Sequence, residues 1–238
     1  LIVPDYRSLY KRVYTEGLVD MSGIRRDRVF VLGGGPSLST FNFSKLKNED
    51  TICSNQAVFD VPSPDYFITC DYMFVKRTKA VKLDQLNCTM VFVANFIDGV
   101  IQDVKGKIVD IEKNYSYDLC QFDMIIKCRK RSGMGLTFKD FRSGRNSGYC
   151  GLQLAVLLGY RKIYLLGMDF VVVRKRTHYH NKYMVDPEKF SKKLHAYYNE
   201  FVSGLEQLKR MRPEVDIISM SEISKLNGII PVEKACNI

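Results

Sequence analysis

The texture of the chain changes at Arg28. Before it, apolar positions such as Leu9, Val13, Leu18 and Met21 sit among many charges, at a spacing that fits a short amphipathic helix. Residues 1–28 are therefore read as an N-terminal helical arm. Arg28-Val29-Phe30-Val31-Leu32 is then a β-branched and aromatic run that predicts a buried strand. Similar short apolar runs predict strands at Thr51–Ser54, Tyr66–Cys70, Thr89–Ala94, Lys107–Ile111, Met124–Ile126, Ile163–Leu166 and Val215–Ser219.

Two helices stand out between and after these runs. One opens at Ser147, with Asn146 or Ser147 as its cap, is apolar on nearly every side, and stops at Gly159. The other spans about 187–211, with Phe190, Leu194, Tyr197, Phe201, Leu205 and Leu208 on one face and lysines elsewhere. Strands that alternate with helices imply an α/β fold, a mostly parallel sheet with helices on both faces. No interdomain linker is evident, so residues 29–238 read as a single domain.

Composition narrows this picture. With 238 residues, 46% hydrophobic and 12% aromatic, the chain has enough apolar material for a core, which excludes disorder. Its longest apolar stretch, Ile163 to Val173, is broken by Asp169 and is far shorter than the roughly 20 residues of a membrane-spanning helix. Leu1-Ile2-Val3-Pro4-Asp5 has neither a basic nor a long apolar region and does not read as a signal peptide. The seven cysteines are scattered, without a Cys-x-x-Cys pair, as reduced core thiols of a cytoplasmic protein would be. A net charge of +10 points to an anionic partner without choosing among nucleotides, anionic glycans, lipid headgroups and nucleic acid. The run Lys127-Cys128-Arg129-Lys130-Arg131 lacks interleaved aromatics, which disfavours nucleic acid and leaves a solvated patch or a peripheral contact with an anionic membrane.

The residues suited to chemistry cluster at predicted strand ends. Gly33-Gly34-Gly35-Pro36-Ser37-Leu38 follows the first strand, where glycines allow a sharp turn and a close backbone approach to a phosphate or ribose. It is neither a Walker loop nor a full Gly-x-Gly-x-x-Gly, and a tight turn with no ligand explains it too. Asn55 and Asp71 end the second and third strands and face the same crevice, as polar contacts to a nucleotide or as plain caps. Gly144-Arg145-Asn146-Ser147-Gly148 opens the apolar helix, combining a positive dipole end, a hydroxyl and a guanidinium in an anion site or an ordinary N-cap.

Read together, three blocks carry a resemblance. Gly33–Leu38, Ser54-Asn55-Gln56 and Asn146-Ser147-Gly148 with Leu158–Phe170 resemble the bacterial CMP-sialic-acid-dependent sialyltransferases. They are also similar to the broader MptE-like, 6-hydroxymethylpterin diphosphokinase group. The likeness is strong over about 29–60 and 142–170 and absent over 1–28. It implies a Rossmann-like domain that binds a CMP-type nucleotide-sugar as substrate, needs no obligatory cofactor, and transfers the sugar to a glycan acceptor. It places Gly33, Gly34, Gly35, Asn55, Asn146, Ser147 and Gly167 around the nucleotide, with Asp71 as a nucleotide-side polar group. Two positions depart from the pattern: the sialyltransferases have Asn at Gly34 and Tyr at Val171.

Two of the three histidines lie in Thr177-His178-Tyr179-His180. An imidazole that titrates near neutrality can take a proton from an acceptor hydroxyl, so His178 and His180 are the candidate bases. Arg174 and Arg176 beside them are candidates to stabilise a departing phosphate in place of the missing tyrosine. His195 is a weaker candidate, with packing in the long helix as its expected role. The stretch from Val171 to Pro187, rich in cations and poor in apolar surface, is expected to form a mobile, lid-like loop. Three readings stay open. They are a sugar transferase working by inversion, a magnesium-dependent pyrophosphoryl transferase using Asp71 and Asp169, and a non-catalytic nucleotide- or glycan-binding domain, any of them a monomer or an oligomer.

Overall fold

The structure is a computed structural model that describes residues 27–78, 80–97, 100–102, 108–109, 122–128, 132–180 and 186–235. The arm expected over 1–28 lies outside them, except that Arg28 already belongs to the first strand. The strands are β1 Arg28–Leu32, β2 Thr51–Ser54, β3 Tyr66–Thr69, β4 Thr89–Ile97, β5 Val100–Gln102, β6 Ile108–Val109, β7 Met124–Cys128, β8 Lys162–Leu166 and β9 Asp216–Ser219. The helices are α1 Tyr72–Thr78, α2 Ala80–Leu83, α3 Ser147–Leu157 and α4 Pro187–Met211.

Each strand expected from the sequence has a counterpart, although Lys107, Asp110 and Ile111 of the expected Lys107–Ile111 run lie outside the described residues. The main sheet runs β7-β4-β3-β2-β1-β8-β9, and all its pairings are parallel. The far end of β4 turns back into β5 and β6, which pair antiparallel beyond the predicted Thr89–Ala94 boundary. β5 escaped the sequence reading because Val100-Ile101-Gln102 is too short to show a pattern.

Layers on both faces bury the sheet. One face, built on Val29, Val31, Ile52 and Ile68, packs against α3 and α4. The other, with Phe30, Leu32, Phe67 and Phe92, is covered by α1, short 3₁₀ turns and the segment after β9. α3 is buried from Ser147 to Val156, as its apolar circumference demands, because it is sandwiched between sheet and α4. Gly151 permits this fit: a Cβ there would lie 2.9 Å from Val31 Cγ1. Helices therefore cover both faces, but after β1 and β2 the connections are 3₁₀ turns, Pro36–Thr40 and Asn55–Phe59, rather than α-helices.

The topology fixes where a ligand would go. From β1 the chain winds outward through β2, β3, β4 and β7, then returns to place β8 on the other side of β1. The winding direction reverses between β1 and β8, and the loops leaving their carboxyl ends diverge to open a crevice.

Candidate functional site

A cleft of about 200 Å³ occupies that crevice. Its floor is the Gly33–Pro36 turn after β1 and the Gly167–Val171 turn after β8. Its walls are Ser54–Gln56, Cys70, Asp71, Arg145–Gly148, the histidine segment and one face of α4. Of the twelve site residues expected from the sequence, the structure brings ten together here: Gly33, Gly34, Gly35, Asn55, Asp71, Asn146, Ser147, Gly167, His178 and His180.

The glycines serve mainly to let two turns touch. Gly33 N–H donates to the Leu166 carbonyl and Gly35 N–H to the Gly167 carbonyl, both at 2.8 Å. A Cβ on Gly33 would sit 2.5 Å from Gly167 O, and one on Gly35 2.4 Å from Asp169 Oδ2. A Cβ on Gly34 would instead lie 3.1 Å from His178 Cδ2, and its N–H makes no hydrogen bond among the described residues.

Several polar residues both line the cleft and hold it together. Asn55 adopts a left-handed backbone (φ 50°) and accepts a 2.7 Å hydrogen bond from Thr69 Oγ1, bracing β2 against β3. Asp71 caps α1 by accepting from Phe74 N at 3.1 Å and lies 3.7 Å from Arg77. Asn146 is the cap of α3, its Oδ1 accepting from Gly148 N and Tyr149 N. The side-chain oxygen therefore fills the helix end that the sequence offered to an anion. Ser147 Oγ accepts from Cys70 N at 3.1 Å and touches Cys70 Sγ.

The guanidinium that reaches this cleft is Arg145, held by a left-handed backbone (φ 54°) between Gly144 and the α3 cap. Arg174 and Arg176, the expected phosphate-stabilising pair, are not brought to it. Val173 and Arg176 exchange backbone hydrogen bonds across a two-residue turn in which Arg174 and Lys175 both have positive φ, 48° and 66°. That reversal turns both arginines toward a separate cavity on the far side of the Gly33–Pro36 turn.

Beyond the turn, the histidine segment is strapped onto the cleft. Tyr179 N–H donates to Gly34 O at 3.1 Å, its ring packs against Phe43, and its hydroxyl donates to Asp60. Tyr179 thus gives the expected lid apolar and polar anchorage that its charge count does not include, while residues 181–185 of that stretch lie outside the described residues. His178 and His180 stack with centroids 5.4 Å apart, and His178 also packs on Phe190. Burial, reinforced by the neighbouring His180, pushes the His178 imidazole down to about 4, so it is neutral at pH 7. Thr177 Oγ1 lies 3.0 Å from His178 Nδ1 and orients the ring. His195 lies on the exposed face of α4 beside Asn199, in neither the cleft nor the packing role expected for it.

Sequence reading missed the contribution of α4. Phe190, Leu194 and Tyr197 form part of its apolar stripe, and they end up as a wall of the cleft. The only signal was a tyrosine hydroxyl within a stripe otherwise suited to a core. Tyr197 makes no hydrogen bond among the described residues. Burial raises its phenol, nearby Cys70 and Asp71 add to this, and Arg145 opposes it, so Tyr197 is a protonated donor at neutral pH.

Asp169 is nearly inaccessible, and both its carboxylate oxygens accept from Ser37. Asp71 accepts from Phe74 N and lies 3.7 Å from Arg77 while lining the cleft, and no group of three His, Cys, Asp or Glu side chains among the described residues is placed to hold a metal ion.

Solved structures have this architecture. The chain is similar to the sialyltransferase CST-II in complex with trisaccharide acceptor and CMP, with a TM-score of 0.56, 19% identity, and coverage of 89% of this chain and 88% of the other. It is also similar to the sialyltransferase CstII from Campylobacter jejuni in complex with a substrate analogue, CMP-3FNeuAc, with a TM-score of 0.52, 15% identity, and coverage of 88% and 87%. The fold is theirs. It is α/β and Rossmann-like, as the sequence implied. No protein-family model and no curated protein matches the sequence. No helix among the described residues is long and apolar enough to cross a membrane.

Proposed function

We propose that this protein is a glycosyltransferase that moves a sugar, in the manner of a sialyltransferase, from a CMP-linked donor to a glycan acceptor. The observation that carries the reading is the placement of a histidine pair directly over the glycine turn, at the switch point of a fold similar to that of sialyltransferases solved with CMP. The donor would lie across the ends of β1, β2 and β3, its base and ribose near Asn55 and Asp71. Its phosphate would sit between the Gly34 turn and Arg145, which both line the cleft.

In this reading the acceptor hydroxyl attacks the anomeric carbon from the face opposite the phosphate. The new glycosidic C–O bond forms as the bond to CMP breaks, and configuration inverts. His178 or His180 receives the hydroxyl proton. Negative charge grows on the departing phosphate, where Arg145 and the Tyr197 hydroxyl replace the work assigned to Arg174 and Arg176 from the sequence. A glycan carried on a lipid would place the reaction at the cytoplasmic face of a membrane.

The test is calorimetric titration with CMP, CDP, UDP, GDP and ATP, followed by transfer of a labelled sugar from CMP-sialic acid to an oligosaccharide panel. Selective CMP affinity with transfer is expected. Indifference to every nucleotide would sink the reading. CMP binding without transfer, unchanged in His178→Ala and His180→Ala, would instead identify a non-catalytic binding domain.

A further inference from the structure

Arg174 and Arg176, excluded from the cleft, define a second site. We propose that the cavity on the far side of the Gly33–Pro36 turn binds a negatively charged sugar unit, independently of the nucleotide cleft. The proposal goes beyond the transferase reading and stands without it.

The cavity, about 890 Å³, is bounded by three segments from distant parts of the chain: the 3₁₀ turn Pro36–Thr40, the hairpin Val173–Arg176, and Met220–Ile223 after β9 with Lys234 beside it. Its charges are one-sided. Arg174 and Arg176 have no ion-pair partner among the described residues, and Lys234 faces Glu222 at 3.7 Å in an exposed pair. Three cations against one carboxylate leave a net positive wall that attracts an anion. Two backbone hydrogen bonds between Val173 and Arg176 close the turn that carries both arginines.

Ser221 also borders this cavity, but it is only 2% exposed and its Oγ, which has no hydrogen-bond partner among the described residues, is itself buried beneath the wall. Ser39 and Thr40 bring further hydroxyls to the rim, while Val173, Met220 and the exposed Ile223 provide an apolar strip. Guanidinium groups for a carboxylate or phosphate, hydroxyls for hydroxyls, and an apolar strip for a ring face together describe an acidic pyranose. The volume exceeds what a bare phosphate would fill.

This pocket also communicates with the cleft through covalent chain. Arg176 precedes Thr177 and His178 directly, and Ser37 on the opposite wall is the residue that Asp169 holds. An occupant that clamps the hairpin would therefore steady the segment carrying both histidines.

The experiment is titration of the protein with sialyllactose, lactose and inorganic phosphate, followed by amide chemical shifts and calorimetry. Sialyllactose is expected to bind and lactose to bind at least about tenfold more weakly, with shifts at Ser39, Thr40 and Ile223. The double variant Arg174→Gln/Arg176→Gln should weaken sialyllactose by about tenfold or more while leaving CMP affinity unchanged. Equal affinity for lactose, competition by phosphate at equal concentration, or shifts confined to Gly34 and Tyr197 would each overturn the proposal. Should the double variant unfold, Lys234→Gln and the shift map on the wild-type protein decide it alone. Failure of CMP to bind would count against the transferase reading and leave this test intact.

Discussion

Asp169 and Ser37 lie 132 positions apart, and each carboxylate oxygen of the one is filled by a donor of the other: Ser37 N–H to Oδ2 at 2.7 Å and Ser37 Oγ to Oδ1 at 2.8 Å. The contact latches the turn after β8 onto the turn after β1 and so sets the floor of the cleft. Asp169→Ala leaves the Ser37 N–H without a partner, and a loss of about 2–4 kcal/mol is expected, read from urea unfolding. An unchanged midpoint would mean that the latch contributes nothing.

The three consecutive glycines should respond differently to alanine. Gly33→Ala drives a Cβ against the backbone oxygen of Gly167, which cannot yield, so a clear fall in melting temperature is expected. Gly34→Ala meets only the His178 ring edge, so the fold should survive while nucleotide affinity or turnover drops. Circular dichroism melts beside CMP titrations separate the two outcomes. Equal stability losses at both positions would contradict the different surroundings of these residues.

Tyr197→Phe removes one hydroxyl and little packing. If that hydroxyl faces the leaving phosphate, kcat should fall by about a hundredfold, with stability altered by less than about 0.5 kcal/mol. Arg145→Gln should act in the same direction and also weaken CMP binding. A Tyr197→Phe enzyme with normal turnover would remove Tyr197 from the phosphate site.

Acid should act on His178 in a definite direction. Burial depresses the folded-state pKa of His178 to about 4, below the unfolded value of 6.5. The unfolded chain therefore takes up a proton first. The associated stability is fully present above pH 6.5 and is lost as the pH falls from 6.5 toward 4. In His178→Gln this part of the pH dependence of unfolding should flatten. In transfer assays, an acid limb of kcat/KM near pH 4 would assign the base to His178, and a limb well above that would exclude it.

The order of elements was legible because each depends on local chemistry. Arg28–Leu32 has the β-branched character of a buried strand, and Pro187–Met211 carries a helical apolar stripe. Asn146 and Gly159 mark the ends of α3, where Gly159 takes the positive φ of 89° that closes a helix. Most strand-end residues of the cleft could likewise be named in advance, since parallel strands must all present their carboxyl ends on one side.

What lay beyond the sequence was direction. Asn55, Asp71 and Asn146 were each read as ligand contact or cap. Only packing shows that they brace or cap while lining the cleft, because the choice rests on which N–H or hydroxyl the fold brings within about 3 Å. Arg174 and Arg176 stand next to the histidines in sequence yet face another cavity, because two left-handed residues reverse the chain between Val173 and Arg176. Arg145 and Tyr197, 52 positions apart, converge on the cleft because α3 is sandwiched between sheet and α4. Local pattern determined which residues could do chemistry; long-range packing decided which of them meet, because side-chain direction depends on backbone turns and partners that distant segments supply.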